Sequence, residues 1–154
     1  MAYLNTINAN LTSAGSAGSV RVGFLESATP EPNGFPTPVN AALQEFGGGN
    51  GIPPRPYFRT MIKTNAPSWG DDVAKVLKAT NFNAEQTLGH MGQKIAGQLR
   101  HSIRDLTSPP LAASTIRKKS RGKVSKLAWA IGGPAKPLID TGHMLNSVDY
   151  EVST

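Results

Sequence analysis

The apolar positions of the chain form one long helical pattern and several shorter alternating ones. From Ala84 to Leu106, apolar side chains recur every three or four residues, which is the spacing of one face of an amphipathic helix. The stripe consists of Leu88, Met91, Ile95, Leu99, Ile103 and Leu106. At ~1.5 Å per residue this segment would span about 35 Å. We therefore predict a long helix at the centre of the fold.

The residues before this stripe predict an earlier section of the same helical region. Ser68 can cap a helix N-terminus, and Asp71 and Asp72 follow in the first turn, where the helix dipole favours acids. The sequence Asn-Phe-Asn at 81–83 is a candidate interruption. The predicted helical core therefore runs from Ser68 to Leu106.

Alternating apolar and polar residues predict short β-strands near both ends of the chain. Val20–Phe24 and Val148–Val152 alternate as half-buried strands do. Val39–Phe46 has a related pattern and is predicted as a further strand, although Ala42, Leu43 and Phe46 could instead form a helical turn. The predicted fold class is α+β, with a small antiparallel sheet packed against one long α-helix.

Glycine and proline separate the ordered parts of the chain. The run Ser13–Gly18 is typical of a flexible connection, and the proline-rich stretch Pro30–Pro38 excludes regular structure. We predict a single domain, in which residues 1–36 form an N-terminal arm and first strand that are partly flexible. Residues 37–154 form the α+β unit, with extended Pro/Gly-rich loops.

The composition limits the function classes. The 154 residues suit one domain, and 38% hydrophobic content with 16 Gly and 12 Pro predicts a modest core with long loops. The net charge of +6 suits a nearby polyanion. Cysteine is absent, which excludes disulfides and thiolate metal sites. No apolar run approaches the ~20 residues of a membrane span, and the first residues lack a signal-peptide pattern.

The chain offers little for catalysis. His90 and His101 are eleven residues apart, or about 16 Å along a continuous helix, which is too far to share a metal ion. Asp71 and Asp72 are consecutive, so their side chains diverge. The glycine-rich loop Gly47–Gly51 lacks the Gly-Lys-Ser/Thr ending of a phosphate-binding loop. We expect no enzyme activity, no cofactor and no metal site.

A proline-stiffened segment, Ile52–Arg59, is a candidate protein interface. Its three prolines lower the entropy cost of docking, and its remaining side chains are of types common at binding hot spots. The candidate interface residues are Arg55, Tyr57, Phe58 and Arg59. Alternatively, Tyr57 and Phe58 pack into the core. Both interpretations hold together if Phe58 points inward and Arg55 or Arg59 outward.

A basic segment at 117–126 is predicted as a loop after a short helix, Leu111–Lys119. Its cations are Arg117, Lys118, Lys119, Arg121, Lys123 and Lys126. Flexible lysine and arginine side chains bind phosphate backbones without reading sequence, and no aromatic residues interleave to suggest base stacking. The alternatives are a solvated loop and a loop that docks on an acidic partner.

The segment Pro137–Val148 has a structural interpretation. Asp140 or Thr141 can cap a short helix from Gly142 to Asn146. The apolar residues around that helix would then face the core.

Several of these segments recur together in one known family. In chain order they are Gln44-Glu45-Phe46-Gly47, Ile52-Pro53-Pro54-Arg55-Pro56-Tyr57-Phe58-Arg59, Pro110-Leu111, Thr115-Ile116-Arg117-Lys118-Lys119, Pro137-Leu138-Ile139-Asp140-Thr141-Gly142 and Asn146-Ser147. Their order and spacing over residues 37–153 resemble the tail-completion, or neck, proteins of long-tailed bacteriophages. Tyr57-Phe58 departs from the family pattern, in which a single Phe is usual.

The resemblance implies an α+β domain in a homo-oligomeric ring at the head–tail junction. It does not fix the number of copies, for which we expect a hexamer, with a dodecamer as the alternative. The neighbours would be a head-closure or connector protein and a tail-terminator or tail-tube protein. Genomic double-stranded DNA would pass through the lumen and contact the ring without sequence preference. The expected location is the virion, with the host cytoplasm during assembly and no membrane contact.

Two alternatives remain at this stage. Within the virion, tail terminators and head-closure stoppers have related folds. From a different class, a small basic cytoplasmic nucleic-acid-binding protein would form monomers or dimers with salt-dependent DNA affinity.

Overall fold

The computed structural model describes residues 6–13, 16–25, 28, 30–31, 33–49, 51–121, 130 and 133–154, with backbone alone for 6–13 and 16–17. Three strands and five α-helices lie in these ranges, together with a short 3₁₀ turn at Gly133–Ala135. In chain order they are β1 (Thr6–Ser13), β2 (Ser16–Gly23), α1 (Thr37–Phe46), α2 (Tyr57–Ala79), α3 (Ala84–Asp105), α4 (Ala113–Arg121), α5 (His143–Asn146) and β3 (Asp149–Ser153).

The three strands form one antiparallel sheet in the order β1-β2-β3. The strands predicted at Val20–Phe24 and Val148–Val152 are present. Strand β1 was not predicted, and Ser16–Gly18 belong to β2 instead of a flexible connection. Because β2 pairs with β3 at the other end of the chain, the sheet joins residues on both sides of the predicted division at residue 36.

Helix α3 packs across this sheet and supplies much of the core. The predicted stripe is buried from Leu88 to Ile103, where it meets Val20 and Val22 of the sheet. Burying large aliphatic side chains in this way contributes about 1.5–3 kcal/mol each. The α+β fold with a long helix on a small antiparallel sheet is confirmed.

Helix α2 begins at Tyr57, eleven residues before the predicted start at Ser68. It continues through Pro67, and the Ser68 hydroxyl donates a hydrogen bond to the carbonyl of Asn65 (2.9 Å), so Ser68 lies inside the helix and does not cap it. A proline inside a helix removes one backbone donor, and packing against α3 has to offset that loss.

The predicted interruption at 81–83 separates α2 from α3. Asn81 and Phe82 have positive φ angles of 51° and 61°, and the Asn83 side chain accepts a hydrogen bond from the backbone of Gln86 (2.9 Å) to cap α3. The two helices are therefore antiparallel neighbours, held together by the indole of Trp69 donating to Gln98 (3.0 Å).

The predicted strand Val39–Phe46 is wrong, and the helical alternative is correct. Residues Thr37–Phe46 form α1, with a proline in its first turn, where the missing N–H costs nothing. Its inward face is a narrow row of Thr37, Ala41 and Glu45, spaced one helical turn apart. Val39, which the strand prediction placed on the inward face, therefore lies on the outer side of the helix.

The predicted basic loop begins as a helix. Arg117, Lys118, Lys119 and Arg121 all lie on α4, whereas Lys123 and Lys126 lie outside the described residues. Near the C-terminus, α5 begins after Gly142 (φ 82°), and the Thr141 hydroxyl accepts a hydrogen bond from the backbone of His143 (3.1 Å).

Candidate protein-docking surface

The start of α2 is built around a buried carboxylate from α1. Glu45 is only 1% exposed, and its oxygens accept hydrogen bonds from the backbone N–H groups of Phe58 (2.9 Å) and Arg59 (3.2 Å). These donors belong to the first turn of α2, which has no cap from its own side chains. Glu45 therefore caps α2 from another helix.

Arg59 completes this cap and remains accessible. Its Nε donates to Glu45 at 2.7 Å, its guanidinium carbon lies 4.9 Å from the centre of the Phe46 ring, and its side chain is 56% exposed. Of the four predicted interface residues, Arg59 is the one whose side chain lies at the surface.

The other three predicted interface residues are largely buried within the chain. This corrects the exposed-contact assignment for Tyr57 and Phe58, whereas Arg55 lines a groove described below. Tyr57 and Phe58 are core residues: the Tyr57 ring meets Phe24 and Phe58 edge-on at 6.4 and 6.3 Å, and its hydroxyl donates to the carbonyl of Ala41 (3.1 Å). Arg55 is only 5% exposed. The alternative that placed Phe58 inside and Arg59 outside describes the fold.

The burial of Tyr57 predicts a specific loss of stability in alkali. Burial, and then the negative charge of Glu45, raise the pKa of the Tyr57 phenol far above its ordinary value of 10.0. Above pH 10 the Tyr57 phenol loses its proton in the unfolded chain but keeps it in the folded chain. The free energy of unfolding therefore falls as pH rises. Between pH 10 and 11 it should fall by about 1 kcal/mol more in the wild type than in Tyr57→Phe.

This difference can be measured by urea denaturation at each pH. Tyr57→Phe also loses the hydrogen bond to Ala41. That loss lowers the free energy of unfolding by the same amount at every pH, so it does not contribute to the difference in pH dependence. If the free energy of unfolding falls equally between pH 10 and 11 in the wild type and in Tyr57→Phe, the prediction is wrong.

An apolar surface lies on the outer side of α1. Phe35, just before the helix, and Val39 and Phe46 within it are exposed, and Phe46 is 44% accessible. Val39 and Phe46 are seven residues apart, or about two helical turns, and so share one face. We call Phe35, Val39 and Phe46, together with the adjoining Arg59, the α1 surface.

Next to the α1 surface is an open groove of about 990 Å³. Its walls come from the residues before α1, including Phe35 of the α1 surface, and from α1, the segment 51–55, the segment 110–119 and the segment 137–144. Ile52, Leu111 and Leu138 contribute apolar lining, and Arg55 and Lys119 contribute positive charge. The groove thus brings together motifs that sequence analysis had treated separately.

The basic residues of α4 divide into two groups. Arg117, Lys118 and Arg121 are exposed. Lys119 is half-buried and donates to the carbonyls of Lys136 (3.1 Å) and Ile139 (2.8 Å), so it does not share the exposed surface of the other three. Burial lowers the pKa of Lys119, with the charge of Asp140 acting in the opposite direction.

The described residues hold no group of three or more His, Asp or Glu side chains arranged to bind a metal ion. His90 and His101 are exposed on α3, and the ring of His143 lies beside the hydroxyl of Thr37 (3.2 Å). Within the described part of the chain, no helix has the length and apolar character needed to cross a membrane. Comparison with protein-family models, curated proteins and solved structures gave no match.

Proposed function

We propose that this chain is a structural protein of a tailed-bacteriophage virion that forms a ring at the head–tail junction. Identical subunits would join the tail to the head connector around a lumen for the genomic DNA. The proposal combines the motif pattern over residues 37–153 with a surface suited to protein contacts.

The α1 surface is the observation that carries the proposal. Three of the four large hydrophobic side chains exposed among the described residues belong to it, and the fourth, Phe82, lies in the turn between α2 and α3. Single exposed apolar residues are ordinary, whereas two on one helix face with a third just before the helix are more typical of a protein-binding site. Arg59 and Phe46 add the residue types that dominate interface energies.

A ring contact is the use of this surface that fits the proposal best. In a cyclic ring, each subunit presents two different faces, one to each neighbour. The α1 surface would be one of these faces, and a separate part of the next subunit would cover it.

The exposed cations of α4 support a second part of the proposal. Arg117, Lys118 and Arg121 lie within about one turn of helix and are free to meet a phosphate backbone. Contacts of this kind neutralise phosphates without reading bases, as a protein lining a DNA channel requires. We propose that this end of α4 faces the lumen.

We predict that Val39→Ser combined with Phe46→Ser will prevent ring assembly and head–tail joining without unfolding the chain. Both side chains are exposed, so their loss should change the free energy of unfolding by less than about 1 kcal/mol. Assembly can be followed by sedimentation and by joining of purified heads and tails. Phe82→Ser, which removes an exposed phenylalanine elsewhere, should assemble normally; normal joining by the double variant would count against this contact.

Electron cryomicroscopy of particles of the phage that encodes this chain would test the proposal as a whole. Density for the fold in a closed ring at the head–tail junction would support it and give the number of copies. Absence of the chain from the particle would overturn it. Salt-dependent DNA binding through Arg117, Lys118 and Arg121 would then be the next function to examine.

A further inference from the structure

Arg55 lies in the wall of the groove as a buried cation. Its Nη1 donates to the side-chain oxygen of Gln44 (2.9 Å), and its Nε donates to the carbonyl of Pro109 (3.4 Å). Among the described residues, no carboxylate pairs with Arg55 and its Nη2 has no hydrogen-bond acceptor. A buried charge is normally paired, so this arrangement leaves an incomplete site.

Lys119 is the second cation of the groove. Two of its three N–H groups are used by the carbonyls of Lys136 and Ile139, which leaves one for a further acceptor. Arg55 is near enough that its charge contributes to lowering the pKa of Lys119, after the larger effect of burial. Because the two cations repel each other, an anion placed between them would be held by both.

The acidic groups of the groove do not supply that anion. Glu31 accepts a hydrogen bond from the Asn40 side chain (2.9 Å). Asp140 is exposed, and although its charge acts on Lys119, it forms no ion pair with either cation among the described residues.

The rest of the lining indicates what kind of molecule carries the anion. Ile52, Leu111 and Leu138 are apolar, and about 990 Å³ is at the upper end of the range for small-molecule sites. A bare inorganic anion would fill little of this space and leave the apolar lining in water. A peptide segment with one acidic side chain between apolar residues would pair with the cations and also cover the apolar lining.

We propose that the groove binds an acidic, partly apolar segment of a neighbouring protein, whose carboxylate pairs with Arg55 and Lys119. This inference rests on the proposed docking role of the chain in a ring assembly. The groove and the α1 surface would then have different roles. The α1 surface would bind its neighbour by burying apolar side chains, and the groove would select its partner by charge. Planar guanidinium–carboxylate pairing favours Arg over Lys at position 55.

The proposal can be tested on the purified chain with a library of random heptapeptides. Peptides retained by immobilised wild-type protein should be enriched in Asp and Glu relative to Asn and Gln, compared with the starting library. The selected peptides should bind Arg55→Gln and Lys119→Gln about tenfold or more weakly, because each loses a charge-assisted hydrogen bond. Arg55→Lys should also bind more weakly, although it keeps the charge.

Two further variants keep the test decisive if Arg55→Gln does not fold. Ala112→Trp adds bulk at an exposed position of the groove lining, leaves both cations in place and should also abolish binding. Lys63→Gln removes one exposed positive charge from α2, outside the groove, and should bind as the wild type does.

The proposal is overturned by the absence of acidic enrichment, by acidic peptides that still bind Ala112→Trp, or by an equal loss in Lys63→Gln. The last result would mean that net charge alone attracts the peptides. Because this assay needs no assembled particle, its failure is distinguishable from failure of the ring proposal, which the α1 surface variants and particle imaging test separately.

Discussion

Replacing Glu45 with Ala should lower the free energy of unfolding by about 3–5 kcal/mol, because two backbone N–H groups lose their acceptor, at roughly 1–3 kcal/mol each, and a cavity remains. The carboxylate is 1% exposed and accepts hydrogen bonds from two backbone N–H groups at the start of α2 and from Arg59 Nε (2.7 Å). Alanine would leave both buried N–H groups without an acceptor and a cavity beside them.

Related substitutions separate the contributions to this effect. Glu45→Gln keeps an acceptor oxygen but loses the charge, so we expect a smaller loss of about 1–3 kcal/mol. Arg59→Ala leaves the carboxylate bound to the two N–H groups and should cost about 1 kcal/mol, because the Arg59 side chain is largely exposed.

Urea denaturation followed by circular dichroism at neutral pH would measure these differences. Glu85→Ala is the matched control: Glu85 is an exposed acid in the first turn of α3, where its removal should cost at most about 1 kcal/mol. If Glu45→Ala and Glu85→Ala have the same effect, the cap formed by Glu45 between helices is not a principal support of the fold.

Gly92→Ala should destabilise the protein by about 2 kcal/mol, although alanine is intrinsically the better helix former. At Gly92, α3 packs closely against Tyr150 of β3 and Val20 of β2. A Cβ there would lie 2.8 Å from Cγ of Tyr150 and 2.9 Å from Cγ2 of Val20, and it would also strike Cδ2 of Tyr150. To relieve these contacts, the side chains of Tyr150 and Val20 must shift or α3 must move away from β2 and β3.

The same helix supplies the controls for this prediction. Gly89 and Gly97 also lie in α3, and a Cβ at either position would meet nothing within 4 Å. Gly89→Ala and Gly97→Ala should therefore stabilise the protein by about 0.5–1 kcal/mol through helix propensity alone. If Gly92→Ala behaves as they do, the helix is not held against the sheet as closely as the structure describes.

The sequence indicated which residue types a binding site would use, but not which of those residues lie at the surface. Arg59 was expected at a surface and is exposed, whereas Arg55, Tyr57 and Phe58 were grouped with it and are buried. Hot-spot residue types are also core residue types, so composition alone could not separate the two. The role of Glu45 was missed because residues 39–46 were predicted as a strand, and only a helix places Glu45 one turn after Ala41 on the inward face.

The groove could not have been predicted from any one segment. Arg55 and Lys119 are 64 positions apart, and they line the same groove because α1, the start of α4 and the segment 137–144 converge there. Within the described part of the chain, both cations lack a carboxylate partner because of where the fold buries them, and no local sequence pattern predicts that.

Local sequence was sufficient to predict the elements that depend on neighbouring residues alone. The apolar stripe of α3, the interruption at 81–83 and the alternation of β2 and β3 follow from side-chain periodicity and backbone preference within a few residues. Only the tertiary structure decided that α2 starts at Tyr57, that residues 39–46 are helical and that Arg55 is buried. These outcomes depend on partners distant in the chain, such as the Glu45 carboxylate, which caps a helix that begins twelve residues further along.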